Sequence, residues 1–468
     1  MNHLLLSVRK STSLRLCIIV TISIGLRLYH LNYQSLWIDE IASMNGSEPD
    51  LSIQAIIAYC KGDQPPAFFL LLHGWLKMTV FNDYAARLLP TIIGVAGVIA
   101  MFFLGREVRN TKVGLIASFL TSINYISIYF SQDVRFYTLV ILASALSYLF
   151  FIRAVKTVAI INFIFYTLST VVLLYTHYYG LVVFASQGIL FCLLLVHYHL
   201  NKKFILLSIA SALIITIGII PWIPVFFADS QIKTFWIPSE PFYFPIKYFY
   251  VYFKDYVSCV IFAALLVFYL FTTFINVKKR KEFNKVDFIL IGSVFFSFLI
   301  PIAYSIIQTP MLQERYTLIV LPAIIVMISL GLDLLKELFQ RVILITVCCT
   351  SLITLVYIQK YYTKPQKEDW RGITKIVIKN IEPGERILSR HSWYCNYYFK
   401  SLGSTNRAIQ SESFQLHDGD RAGVWILDGF DMSPIPISSE VEIKKNGYQI
   451  VTNDSLYRTR VTHYRSGK

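Results

Sequence analysis

The sequence predicts a polytopic α-helical membrane protein that ends in a small α/β domain. Three observations predict it. Of 468 residues, 55% are hydrophobic and only 15% are charged, whereas a soluble surface needs roughly a quarter of the chain to be charged. The mean hydropathy is +0.56. Apolar runs of about 18 to 24 residues, long enough to cross a hydrocarbon core, recur up to Tyr361, after which the composition turns polar.

The runs lie near 14–31, 88–107, 113–130, 136–153, 158–176, 180–199, 204–227, 257–277, 286–307, 317–335 and 341–359, and predict eleven crossings. No small-x-small cleavage site follows the first run, so it is expected to be an uncleaved anchor. Arg9, Lys10 and Arg15 precede it. Arg106, Arg109 and Lys112 separate the second and third runs, and Lys202 and Lys203 follow the sixth. The Lys278–Lys281 cluster follows the eighth, and Lys336 and Arg341 separate the last two. Eleven crossings place all of these on one side, which the positive-inside rule makes cytoplasmic. The opposite short loops hold little besides Arg135 and Arg315.

Ala67 to Phe81 is apolar but short for a span, and it carries His73 and Lys77. If it crossed, every later loop would change sides. It is therefore expected to lie in the outer interface, entered through Pro65-Pro66. Residues 32–87 then form a first external loop and 228–256 a second. Half of the stretch Phe235–Tyr256 is aromatic, as in an interfacial belt or the wall of a groove for a lipid chain. Residues 361–468 are enough for one small domain. In it, Trp370–Ile381 has helical spacing, Gly423–Leu427 and Tyr448–Val451 read as strands, and Pro383-Gly384 reads as a turn. An odd number of crossings puts this domain outside the cell.

Several functions are excluded. The net charge is +15, but the cations cluster between apolar runs as topogenic charge does, so no nucleic-acid partner is expected. Four of the seven cysteines (Cys17, Cys192, Cys348, Cys349) fall inside apolar runs, and no CxxC metal site is visible. The chain has no Gly-rich phosphate loop, HExxH or GxSxG motif, which argues against nucleotide-driven transport and soluble-type hydrolysis. It also shows no long internal repeat of the kind transporters carry.

The chemistry-bearing residues gather at the outer ends of the runs. Asp39-Glu40 follows the first, and a carboxylate at the interface can take a proton from an acceptor hydroxyl, although acidic pairs are also common in plain loops. Asp63-Gln64-Pro65-Pro66 comes next, then Ser131-Gln132-Asp133-Val134-Arg135-Phe136-Tyr137. His177-Tyr178-Tyr179-Gly180 and Gln313-Glu314-Arg315-Tyr316 follow. Each alone could be a turn, a snorkelling arginine or an interfacial aromatic. Together they place acids, cations and rings at one depth, and an arginine near the bilayer finds a fitting partner in a phosphate head group.

These residues resemble a known family. Asp39-Glu40, the Asp-x-Pro-Pro lead-in to an interfacial helix and Arg87-Leu88-Leu89-Pro90 look like the GT-C glycosyltransferases of the protein O-mannosyltransferase and lipid A aminoarabinose transferase kind. Ser131–Tyr137, His177–Gly180, Arg315-Tyr316 and Asp369-Trp370-Arg371 fit its bacterial members. The resemblance covers the membrane part, residues 1–360. It implies catalysis at Asp39 and Glu40, with Asp39 as general base or as the residue that positions the acceptor. Arg135, Arg315 and Tyr316 would hold the donor's phosphate, with Asp63, Asp133, Tyr137 and His177 as further site candidates. The family often has His before the Pro-Pro pair. Asp63-Gln64 stands there in this chain, a departure that leaves both a metal ligand and a phosphate-binding lysine at this position open, and the cofactor, a divalent cation or none, undetermined.

The implied donor is a polyprenyl-phosphate sugar, the reaction a mannosyltransferase-like transfer of a hexose or pentose, and the acceptor a glycan, lipid or protein. Phosphate leaves without a strong general acid, so one carboxylate base and cationic holders suffice. Direct attack inverts the anomeric centre, unlike the covalent two-carboxylate route. The rival expectations are a flippase or carrier for a lipid-linked sugar, and a structural membrane protein.

The charge pattern yields a test of topology. Cysteines placed at Lys279 and Ser404 in a cysteine-free background should label from opposite sides of the membrane, Ser404 from outside. Labelling of both from outside would contradict the orientation.

Overall fold

The structure, a computed structural model, describes residues 2–62, 64–198, 200–230, 237–280, 283–410, 423–429, 443 and 445–466. The chain opens with α1 (Asn2–Leu28), followed by three short helices, α2 (Ile38–Asn45), α3 (Ile53–Cys60) and α4 (Ala67–Met78). Next come α5 (Asp83–Val108), α6 (Thr111–Ile123), α7 (Tyr125–Ser131), α8 (Tyr137–Lys156), α9 (Ile160–Thr176) and α10 (Tyr179–His197). Helix α11 (Lys202–Ile219) passes through a 3-10 turn into α12 (Ile223–Ser230). After α13 (Phe244–Phe253), α14 (Tyr256–Arg280) and α15 (Lys285–Ile307), a 3-10 segment, Tyr316–Val320, leads into α16 (Leu321–Asp333) and α17 (Glu337–Ile353).

Among the described residues, nine helical segments are long and apolar enough to cross a membrane, and ten if one bent pair counts as a single span. The protein is therefore a multi-pass membrane protein. Two expected crossings have a different form. The run near 113–130 is not one helix but α6 and α7, bent by 61°. The run near 158–176 is α9, only 17 residues long. Helix α4 has 12 residues, too few for a span of about 20.

The chain divides into two compact units. One is Met1–Tyr29, Leu51–Leu72 and Leu88–Ile358; the other is His30–Asp50, His73–Arg87 and Gln359–Lys468.

In the first unit, the bend between α6 and α7 has a cause in the side chains around it. Asn124 caps α7, its side chain accepting from the Ser127 N–H, and an N-cap residue leaves the helical conformation. The last carbonyls of α6 thereby lose their intrahelical partners. Arg27 of α1, completely buried, supplies the missing donors. Its Nη1 donates to Ser122 O at 2.9 Å and to Ser23 Oγ at 2.8 Å, its Nη2 to Thr121 O at 3.3 Å, and its Nε to Ser131 Oγ at 3.0 Å. Gly94 makes room for this cluster, since a Cβ there would stand 2.2 Å from Ser131 Oγ. The Asn124 amide also donates to Tyr252 O at 2.8 Å, which fastens the aromatic stretch of α13 to the same bend. Tyr248, Tyr252 and Phe253 of that stretch are buried.

Elsewhere in this unit, helix ends meet through ion pairs. Arg153 pairs with Glu107 at 2.9 Å, Lys112 with Asp333 at 3.2 Å and Arg109 with Asp287 at 3.6 Å. These contacts bring together ends of α5, α6, α8, α15 and α16 and the α5–α6 connection.

The second unit is built on a sheet of five strands: β1 (Arg386–Ser389), β2 (Ile409–Gln410), β3 (Val424–Gly429), β4 (Tyr448–Leu456) and β5 (Thr459–Ser466). Their order is β2-β1-β3-β5-β4. Strand β1 runs parallel to β2 and β3, and β5 runs antiparallel to β3 and β4. Helix α18 (Trp370–Asn380) and α19 (Ser392–Ser401) belong to this unit. Asp369 caps α18 by accepting from the Gly372 N–H, and the Pro383-Gly384 turn puts Gly384 at φ +90°, a conformation glycine adopts readily. Leu388, Val424, Ile426, Ile443, Tyr448 and Tyr464 form a core.

Arg27→Met keeps an apolar side chain in the span but leaves the α6 carbonyls and the serine hydroxyls without their donor. Unsatisfied buried acceptors cost about 1–3 kcal/mol each, so the thermal midpoint of the detergent-solubilised protein should fall by several degrees. An unchanged midpoint would show that the bend holds without Arg27.

Candidate functional site

The sequence-derived candidates fall into two groups, one in each unit. In the first unit, Arg135 lies at the α7–α8 turn, His177 between α9 and α10, and Arg315 and Tyr316 at the start of the 3-10 segment before α16. The fold brings these four together. The Arg135 guanidinium lies 4.8 Å from the centre of the Phe136 ring, and Phe136 is 5.0 Å from His177. His177 is in turn 4.7 Å from Tyr316, over which Arg315 sits at 5.5 Å. The result is a row of rings with a cation over each end, an arrangement in which ring faces stabilise the guanidiniums.

His177 is buried, with 4% of its surface exposed. The Tyr179 N–H donates to its Nδ1 at 3.0 Å. Burial, and next to it the two guanidiniums of Arg135 and Arg315, lower its pKa to about 3. The imidazole is thus neutral at physiological pH. Tyr179 is fixed by donating to Met311 O at 2.5 Å.

His177, Tyr179 and Tyr316 also line a mainly apolar cavity of about 350 Å³, together with Gln64, Val182, Ile237, Ile300 and Pro310. Ile237 comes from the aromatic loop, so part of that loop is cavity wall. Of the other candidates, Tyr137 is buried against Phe130 and Phe136, with ring centres 4.2 and 4.6 Å apart, and Asp133 is fully buried. Asp63 lies outside the described residues. Among those residues, no group of three or more His, Cys, Asp and Glu gathers as metal ligands.

In the second unit, Asp39 and Glu40 sit side by side in the first turn of α2 with opposite surroundings. Glu40 is completely buried. Arg87 grips both its oxygens, Nε to Oε1 at 3.1 Å and Nη2 to Oε2 at 3.0 Å, and Lys367 Nζ reaches Oε2 at 2.8 Å. The Trp37 N–H donates to Oε2 at 3.2 Å. Arg87 also donates to Gln34 O at 2.7 Å and Ser35 O at 3.0 Å. Burial raises the Glu40 pKa, but Arg87 and Lys367 outweigh it and hold the carboxyl at about 2. Asp39 is only half-buried, and its carboxylate is one of the charges felt by the buried Tyr394 phenol, with Glu368.

Sequence reasoning missed a second buried carboxylate, Asp83. It accepts from Tyr397 OH at 2.8 Å and Tyr398 OH at 3.2 Å, and it pairs with Arg371 at 3.4 Å. It also missed Lys367. Arg87 and Arg371 were visible only as members of motifs. An acid at the edge of an apolar run was the available signal for Asp83.

The two carboxylates of α2 can therefore be separated by experiment. Glu40→Gln leaves two buried cations facing a neutral amide, and breaking a buried pair costs about 3–5 kcal/mol, so this variant should melt well below wild type. The pKa of Glu40 is depressed in the folded state, so its contribution is complete above about pH 4.5. It is lost as pH falls toward about 2. Thermal melts between these pH values should show wild type losing stability more steeply than Glu40→Gln. Parallel curves would remove the ion pair from the account.

Comparisons with known proteins address the fold. The family described as "Dolichyl-phosphate-mannose-protein mannosyltransferase" matches residues 63–222. A search of the curated proteins gives no match. Among solved structures, ArnT from Cupriavidus metallidurans bound to undecaprenyl phosphate is similar with a TM-score of 0.66 at 10% identity, over 96% of this chain and 97% of that one. The archaeal oligosaccharyltransferase AglB from Archaeoglobus fulgidus, in complex with an inhibitory peptide and a dolichol-phosphate, is similar at 0.60 and 11%, over 97% and 74%. The arabinofuranosyltransferase AftD from Mycobacteria is similar at 0.55 and 13%, over 98% of this chain and 40% of that one. The chain has the polytopic GT-C fold that these solved structures share, and the family match lies within residues 63–222.

Proposed function

We propose that this protein is a glycosyltransferase that moves a sugar from a polyprenyl-phosphate donor to an acceptor hydroxyl on the outer face of the cytoplasmic membrane, inverting the anomeric centre. The observation that carries this reading is the pair of arginines, Arg135 and Arg315, gathered about a neutral histidine that itself lines an apolar cavity. An apolar cavity suits a polyprenyl chain, and two guanidiniums suit the phosphate at its end. ArnT and AglB, with the same fold, have been solved with undecaprenyl phosphate and dolichol-phosphate, which supports a lipid-linked donor.

In the proposed reaction the acceptor oxygen attacks the anomeric carbon as the bond from that carbon to the phosphate oxygen breaks. The bonding pair stays with the phosphate, and Arg135 and Arg315 stabilise the growing charge. The acceptor's proton passes to Asp39, which we assign as the general base. Glu40, sealed between Arg87 and Lys367, has no accessible oxygen for that role and instead holds α2. The transferred group is a hexose or pentose. Mannose is the first sugar to assay, given the family that matches residues 63–222. Residues 1–360 form the transferase domain and 361–468 an extracytoplasmic domain in this reading.

The direct test supplies the purified protein with labelled polyprenyl-phosphate sugars and cell-envelope acceptors and follows labelled glycoside by mass spectrometry. Translocation of the lipid-linked sugar without transfer would identify a flippase instead. Asp39→Asn should lower turnover by about a hundredfold or more with little change in expression, and near-normal turnover would exclude the base assignment. Arg135→Lys and Arg315→Lys keep the charge but lose the two-pronged geometry. Each should raise the apparent KM for the donor and lower kcat, with Ala worse than Lys. Wild-type kinetics in both Lys variants would remove the arginines from the donor site.

A further inference from the structure

The neutral imidazole between the two arginines has one nitrogen with no hydrogen-bond partner among the described residues. Nδ1 accepts from the Tyr179 backbone N–H at 3.0 Å. A neutral imidazole has one accepting and one donating nitrogen, so Nε2 carries the hydrogen. Nε2 is buried and has no hydrogen-bond partner among the described residues. Buried donors are almost always bonded, and this one belongs to a residue that lines the apolar cavity. A second unsatisfied atom, Gln64 Oε1, is on a residue of the same wall. The rings of Phe136, Tyr179 and Tyr316 pack against the imidazole, and none of the three is a hydrogen-bond partner of Nε2. Among the described residues nothing accepts this hydrogen, and a ligand or a water entering the cavity can.

We propose that His177 is a donor-binding residue, giving its Nε2–H to a phosphate oxygen of the polyprenyl-phosphate substrate beside Arg135 and Arg315. This rests on the reading of the cavity as the lipid-donor site and adds a neutral contact to its two cations. Two guanidiniums supply charge, and a third cation between them would be repelled. A neutral N–H of fixed tautomer contributes direction instead. It can fix the phosphate's rotation about its ester bond, and hence the line along which the sugar departs. The Tyr179 backbone N–H is the positioning element, because it decides which nitrogen carries the hydrogen.

The experiment titrates the purified full-length protein in detergent with a short polyprenyl phosphate, the matching polyprenol and inorganic phosphate, read by native mass spectrometry. His177→Phe preserves the ring contacts and removes the donor. It should lower affinity for the lipid phosphate about tenfold and leave polyprenol binding as in wild type. His177→Gln places an amide N–H near the Nε2 position and should keep most of the affinity, whereas His177→Asn falls short and should not. If His177→Phe does not fold, the contrast between Gln and Asn decides alone. Equal loss in both would overturn the proposal. Wild-type affinity in His177→Phe, with loss in Arg135→Ala and Arg315→Ala, would mean that the N–H meets only a buried water, and the donor site would stand without it. Wild-type affinity in all three would remove the donor site itself. Inorganic phosphate should compete only at far higher concentration than the lipid. Equal competition would make this a free-phosphate site and overturn the proposal.

Discussion

A guanidinium taken out of water has to be met by acceptors, a counter-charge or a ligand, and that constraint shapes each part of the structure. Arg27 is met by neutral acceptors, the carbonyls that the bend at Asn124 releases from α6. Arg87 is met by a buried carboxylate and three carbonyls. Arg135 and Arg315 share a row of rings with an imidazole that their own charge helps to keep neutral. The first two arrangements hold the fold. The third is the one we propose as a site for an anion, with charge from the arginines and direction from the histidine.

The same constraint divides two neighbouring carboxylates. Glu40 points into its unit, where Arg87 and Lys367 hold it ionised at a cost in desolvation. Its lone pairs are committed to the fold. Asp39, one residue earlier on a helix that turns about 100° per residue, is half-buried. A base has to be reachable by the hydroxyl it serves. The structural carboxylate thereby fixes the helix that carries the proposed base.

The membrane architecture was legible because a span is a statement about length and apolarity, and the bilayer imposes both. The bend between α6 and α7 was not, since the apolar character continues through Asn124 and only the side-chain contacts of that residue reveal the break. The terminal domain's α18, β3 and β4 could be read from periodicity and turn residues, which are local signals. The partners of Glu40 could not. Arg87 is 47 residues away and Lys367 is 327 away, and nothing in the spacing links them. Arg135, His177 and Arg315 were each visible as polar residues at the ends of apolar runs. The histidine's tautomer depends on one backbone N–H, and so belongs to the structure alone.

The central claim is that the row from Arg135 through His177 to Arg315 receives a lipid-linked phosphate. The most direct measurement is an experimental structure of the protein with a polyprenyl phosphate bound. The account predicts the phosphate within hydrogen-bond distance of both guanidiniums, with the chain entering the cavity lined by Tyr179, Val182 and Ile300. A phosphate bound elsewhere, with that cavity filled only by detergent or water, would contradict it.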